Sequence, residues 1–163
     1  MSQHPNLAAL DRHLAEARHP DVAAFLQYMI RIHPAGRLPA RADFDPRAIP
    51  ALLPGVVLAE VVRLADAAPR LRVTVAGETV RNASPVPMMG RFIDEIAAEI
   101  TDGRVIVDVR QKTLDSGTCY YWYGPPRMRF RLDFANLEYV HCPLATDGAT
   151  IDHIISFFHY EGA

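Results

Sequence analysis

The chain predicts an α+β fold, and three observations carry that expectation. Helical periodicity is confined to the first third and to one central stretch, while strand-forming residues gather before and after that centre. Turn residues recur at short intervals, with 13 prolines and 9 glycines in 163 residues. Two strands, then short helices, then three strands is the order of a single antiparallel sheet with helices set against a face. The length is that of one domain.

Residues 1–35 read as a helical extension. Asn6 is placed to cap a first helix running to Arg18, with Leu7, Leu10 and Leu14 on one face. His19-Pro20 interrupts it, because a residue before proline avoids helical angles, and Pro20 suits the first turn of a second helix. Val22, Phe25, Leu26, Met29 and Ile30 then recur at i, i+3, i+4, i+7 and i+8, the strongest helical stripe in the chain. His33-Pro34-Ala35-Gly36 stops that helix.

Residues 36–163 hold the sheet. Asp45-Pro46 reads as a cap and first-turn proline, and Pro54-Gly55 as the turn before a buried strand, Val56 to Leu64. Leu71, Val73 and Val75 alternate with Arg70, Arg72 and Thr74, which gives a second strand with one wet face and an antiparallel hairpin. Between Gly77 and Gly103 short helical turns are expected, with Phe92, Ile93, Ile96 and Ile100 as a stripe. Asp102 to Gly117 is assigned to a helix: Asp102 caps it, Gly117 stops it, and Ile106, Val109 and Thr113 share a face, although Val105 to Val109 favour a strand by propensity. Strands follow at Thr118 to Tyr123, within Leu132 to Leu144, and at Ala149 to Tyr160, with Asp147-Gly148 as the last turn.

The bulk numbers narrow the partners. A formal net charge of −2 provides no general attraction to nucleic acid or anionic membrane. Two cysteines, Cys119 and Cys142, are too few for a disulfide scaffold or a structural zinc site. MSQHPNLAAL lacks the basic start and apolar run of a signal peptide, and no apolar stretch approaches the ~20 residues of a membrane helix. A reduced, cytoplasmic setting is the expectation.

Motifs that carry chemistry are sparse. No GxSxG, phosphate-binding glycine loop, CxxC or HExxH is present, so no catalytic residue and no metal ligand is assigned. His153 and His159 share a strand face but stand ~20 Å apart by strand rise, too far for one metal; His141 lies across from that strand. Cys119 and Cys142 are expected on neighbouring central strands, as small buried hydrophobes or as a redox pair. In Tyr120-Tyr121-Trp122-Tyr123, alternate side chains face opposite ways, so one pair lines the core or a pocket. Arg127, Arg129 and Arg131 alternate with apolar residues as on a strand, giving a solvated edge or an anion-binding face.

The ordered phrases LPARADFDPRAIPALLPGVVLAEVV (Leu38 to Val62), RLRVTVAGETV (Arg70 to Val80), MMGRFIDEI (Met88 to Ile96) and YVHCPLATDGATIDHI (Tyr139 to Ile154) resemble PAS domains, in particular a group common in alphaproteobacteria. The resemblance spans about Gly36 to Tyr160 and implies a five-stranded antiparallel sheet with short helices enclosing a pocket on one face. It also implies a sensory, non-enzymatic role that acts in trans on a signalling partner. PAS domains often dimerise through an N-terminal helix; here the stripe Val22, Phe25, Leu26, Met29 and Ile30 either fills that role or packs on its own sheet.

On this reading the pocket wall is Phe92, Ile96, Ile106, Val109, Tyr121, Tyr123 and Ile155, with Tyr121 or His141 as the orienting hydrogen-bond donor. The cofactor stays unknown. A small organic ligand suits such a pocket. Haem needs an axial ligand that no pattern places, and a light-sensing flavin needs a reactive cysteine in an asparagine-flanked helical motif that neither cysteine has. Two other functions compete: an interaction module with a fully packed core, and a small enzyme recognisable by Tyr139, Asp152 and His153 meeting in a cleft.

Overall fold

The computed structural model describes residues 2–163. Helices α1 (Pro5–Glu16) and α2 (Pro20–Arg31) come first, and three 3-10 turns (Arg41–Asp43, Pro46–Ala48 and Pro50–Gly55) lead into strands β1 (Val56–Val62) and β2 (Arg70–Ala76). Helices α3 (Glu78–Ala83), α4 (Ile93–Ala98) and α5 (Val105–Ser116) follow, and then strands β3 (Tyr120–Gly124), β4 (Asn136–Leu144) and β5 (His153–Glu161). The five strands form one sheet in the order β2-β1-β5-β4-β3, with every neighbouring pair antiparallel. This is the α+β architecture that the sequence predicts.

Both N-terminal helices open on His-Pro. The ring Nδ1 of His4 accepts the N–H of Asn6, and that of His19 accepts the N–H of Asp21, each at 3.1 Å. Proline then fills a first-turn position whose missing N–H costs nothing there. Asn6 is therefore not the cap expected of it. It lies buried inside the first turn, where Oδ1 accepts the Cys119 N–H at 2.7 Å and Nδ2 meets His33 Nε2 at 3.2 Å.

Side chains alternate along a strand, so each strand feeds two cores. Val56, Leu58, Val140, Cys142, Ile155 and Phe157 pack with α1 and α2. Val57, Ala59, Tyr139, Ile154 and Tyr160 pack with α3, α4 and α5 on the opposite face. The sheet is thus the middle of three layers.

The α2 stripe is committed to its own sheet: Val22, Phe25 and Leu26 are 0% exposed and Met29 is 1% exposed, with the rings of Phe25 and Phe157 stacked 5.3 Å apart. Ile30 packs half-buried against the same core. In this conformation Val22, Phe25, Leu26 and Met29 have no free surface for a second copy, so of the two expected roles the stripe takes the packing on its own sheet. An amphipathic helix followed by a half-apolar sheet reads alike in sequence whichever partner covers it.

Helix α5 is helical, not a strand, and Gly117 ends it at φ 70°, a left-handed position that glycine adopts without strain. Its start differs from expectation: Arg104 occupies the cap, and Asp102 sits in the preceding turn at φ 60°.

Candidate ligand-binding site

Between α3–α5 and the sheet lies a cavity of about 70 Å³. Its helical wall is Ile93, Ile96 and Ile100 from the α4 region and Ile106, Val109 and Arg110 from α5. Its sheet wall is Trp122, Leu137, Tyr139, His141, Phe158 and Tyr160. Residues 125–135 close it from the side. They form no strand, which corrects the expectation of three arginines alternating along one. They run as a strap pinned by backbone N–H groups, Arg129 to the Thr101 carbonyl at 3.0 Å and Arg131 to the Ala83 carbonyl at 2.8 Å. The strap sets Arg127, Met128 and Phe130 into the lining. Two prolines after Gly124 disfavour continued strand pairing, which explains the departure.

The polar groups of this apolar cavity are few and deeply placed. Arg110 is 3% exposed, and its Nη1 donates to the Ile106 carbonyl at 2.9 Å, one turn back on α5. Its buried Nε has no partner, and it forms no ion pair with any described residue. Burial lowers the guanidinium pKa to about 10, offset in part by the phenols of Tyr139 and Tyr160, so it stays cationic at neutral pH. His141, 1% exposed, shares a hydrogen bond between Nδ1 and Ser156 Oγ at 2.5 Å, while Nε2 has no partner. Burial first, and then the nearby Arg110 charge, hold its pKa well below the ordinary 6.5. The Tyr139 hydroxyl accepts from Arg127 Nη2 at 2.6 Å, and burial pushes its pKa up to about 12. The Arg127 guanidinium lies 4.1 Å above the Trp122 ring, holding the strap on β3.

Of the pocket residues expected from sequence, Ile96, Ile106, Val109 and His141 line this cavity. Tyr121, Tyr123 and Ile155 do not. They project from the opposite sheet face, where Tyr121 stacks on His13 at 5.6 Å and donates to Glu138 at 2.6 Å, and Tyr123 donates to Glu161 at 2.8 Å. The parity rule separated the two pairs, but Trp122 and Tyr120 hold the cavity side. Phe92 lies outside the cavity, 3.8 Å beneath the Arg70 guanidinium. Sequence reasoning missed Arg110, although its signal was present: it takes the i+4 slot of the stripe Ile106, Val109, Arg110, Thr113.

The other candidates do not assemble. Asp152 and His153 pair with each other at 2.8 Å opposite Leu144, while Tyr139 lies opposite Phe158 farther along β5. Among the described residues no three His, Cys, Asp or Glu side chains converge on a metal position. Cys142 is on β4, and Cys119 precedes β3, which is an edge strand, not a central one. Both thiols are buried and free, and burial raises their pKa values, that of Cys119 to about 12. Such thiols are poor nucleophiles. A second concavity, of about 430 Å³, opens between the 3-10 segment and β2, among Phe44, Pro50, Leu53 and Val75. None of the buried unpartnered polar atoms belongs to a residue lining it. No helix among the described residues is long and apolar enough to cross a membrane.

No protein-family model and no curated protein matches the chain. Among solved structures, an IcIR transcriptional regulator from Alicyclobacillus acidocaldarius is similar at 14% identity and a TM-score of 0.32. The match covers 94% of this chain and 61% of that one, so the chain spans less than two thirds of its length. A score that low establishes no common fold.

Proposed function

We propose that the chain is a PAS-type sensory domain, non-catalytic, that binds a small organic molecule between α3–α5 and the sheet and signals occupancy to a protein partner. One observation carries the reading: a largely apolar cavity on the helical face whose lining includes two buried side chains, Arg110 and His141, each with a nitrogen that has no partner. Buried polar groups in folded proteins are normally satisfied, so such a pair points to a group that completes it. The sheet with short helices on one face is also what the sequence resemblance implies. The strap over the cavity offers the route outward, since Arg129 and Arg131, next to the lining residues Met128 and Phe130, tie it to the turn after α4 and to the end of α3 by backbone bonds that a ligand can shift. A fully packed interaction module would leave neither the space nor the unpaired nitrogens.

Native mass spectrometry of protein freshly isolated from cells tests this. The expected result is a small-molecule mass retained by the unaltered chain and lost in Ile106→Trp, whose ring fills the cavity, at unchanged circular dichroism. The bare polypeptide mass, together with no cavity methyl shifted by a library of neutral, anionic and cationic fragments, would overturn the reading.

A further inference from the structure

We propose that this cavity takes a small carboxylate with a short, branched or unbranched apolar body, its two oxygens on Arg110 and one of them also on His141. The inference rests on the sensor-pocket reading and adds the chemical class of the ligand.

Four observations lead there. First, Arg110 is a buried cation without an anion. The groups whose charge it senses are the phenols of Tyr139 and Tyr160, not a carboxylate. A charge carried into a low-dielectric interior is costly unless it is paired there. Second, the unpaired part of the guanidinium has the right shape. Nη1 is occupied by the Ile106 carbonyl, which leaves the Nε edge. On that edge Nε–H and one Nη2–H point the same way, which is the fork that binds a carboxylate through two parallel hydrogen bonds. Third, His141 is placed to add a donor. When the Ser156 hydroxyl donates to Nδ1, the neutral ring carries its proton on the unpartnered Nε2. Fourth, the rest of the wall is apolar, with Ile93, Ile96, Ile100 and Met128 among the lining. Arg127 also borders the cavity, but it is exposed and engaged with the Tyr139 hydroxyl and the Trp122 face, which leaves Arg110 as the one buried cation of the wall, matched by one negative charge. Size follows from volume: at about 10–15 Å³ per water-sized occupant, a cavity of about 70 Å³ accommodates roughly five to seven such units.

The test uses 3-methylbutanoate and its neutral isostere 3-methylbutanamide, titrated into the full chain and followed by NMR. The carboxylate is expected to bind at least about tenfold more tightly than the amide, the equivalent of ~1.4 kcal/mol. Arg110→Met, which preserves length and removes charge, should abolish that preference and leave amide binding within about threefold. A readout on the unaltered protein guards against a variant that does not fold: the Arg110 Nε–H resonance moves downfield with the carboxylate and not with the amide. Equal binding of acid and amide, or a preference that survives Arg110→Met, overturns the carboxylate assignment while the sensor reading stands. Binding of neither compound also overturns it, and the retained mass in the native spectrum then decides the sensor reading on its own.

Discussion

The two faces of the sheet handle buried polar groups in opposite ways. Toward α1 and α2, Glu138 is 1% exposed and saturated: its oxygens accept the backbone N–H groups of Arg18 at 2.7 Å and His19 at 3.0 Å, and the Tyr121 hydroxyl at 2.6 Å. Asn6 spends both ends of its amide on Cys119 and His33. The one unpartnered buried atom there, His13 Nδ1, stands 3.7 Å from the Glu16 carboxylate. Toward α3–α5, Arg110 Nε, Thr113 Oγ1 and His141 Nε2 have no partner. A saturated polar group fastens one layer to another, whereas an unsaturated one beside a cavity is a site waiting for its complement. The difference supports a structural role for the first face and is the ground on which binding is proposed for the second.

The largest expected effect breaks the saturated face. Glu138→Ala strands three donors at the joint between α1 and α2, and lost partners of this kind cost about 1–3 kcal/mol each, less where water reaches them. A loss of about 3 kcal/mol in urea unfolding is expected. A loss under ~0.5 kcal/mol would mean that Glu138 does not fasten the helical pair.

Next in size is a matched pair of small enlargements. Val140 is 0% exposed in the α1–α2 core, and Val140→Leu should cost about 2 kcal/mol by overpacking. Val109 borders the cavity, and Val109→Leu should instead gain up to about 0.8 kcal/mol, the worth of one more buried methylene. Equal losses at the two positions would show that the space beside Val109 is not available to a side chain.

The fold was legible in the sequence where a local signal fixes it. Helix α5 was recovered against the strand propensity of Val105 to Val109 because Gly117 supplied a stop and the apolar spacing repeated at three and four. The hairpin of β1 and β2 followed from alternation at Leu71 and Val73. What stayed hidden was which face each parity serves. Tyr121 and Trp122 are equally good strand residues, and only the cross-strand register, Tyr121 opposite Val140 and Trp122 opposite Tyr139, sends one to α1 and the other to the cavity. The strap was hidden for the same reason, since alternating arginines look like a strand edge until Arg127 is found on Tyr139. Three of the predicted pocket residues, Tyr121, Tyr123 and Ile155, were therefore right in residue type and wrong in side.

Acid should act through the buried histidines. His141 faces Arg110 from α5, Tyr139 and Tyr120 from its own and the neighbouring strand, and Ser156 and Phe158 from β5, with no carboxylate among them. Its folded pKa is depressed, so the unfolded chain binds the proton first. Stability is then fully present above the ordinary value of 6.5 and falls as pH drops below it. Each such histidine contributes a slope of up to about 1.4 kcal/mol per pH unit. His13, His33 and His159 are depressed as well, foremost by burial, and add to the slope. The depressed carboxylates Asp152 and Glu161 lose their contribution only below the ordinary 3.8 and 4.5, so the interval from 6.5 to 4.5 belongs to the histidines. His141→Gln should flatten the urea-derived profile in that interval by up to one proton; an unchanged slope would remove His141 from the account.

The smallest effect is also the sharpest, because its sign depends on the ligand. In the ligand-free protein Arg110 carries a desolvated charge against one carbonyl hydrogen bond, and replacing an unpaired buried ion by a hydrophobic side chain of similar length is neutral or stabilising. Arg110→Met should therefore gain about 1 kcal/mol when no ligand is present, the reverse of what Glu138→Ala does on the other face. Added 3-methylbutanoate stabilises only a protein that binds it, by an amount that grows with the logarithm of its concentration over Kd. The unaltered chain should then overtake Arg110→Met as the carboxylate is raised, and the two melting curves should cross. If Arg110→Met is the less stable protein at every concentration, including zero, then Arg110 belongs with Glu138 as a fastening, and the contrast between the faces fails at the residue on which it turns.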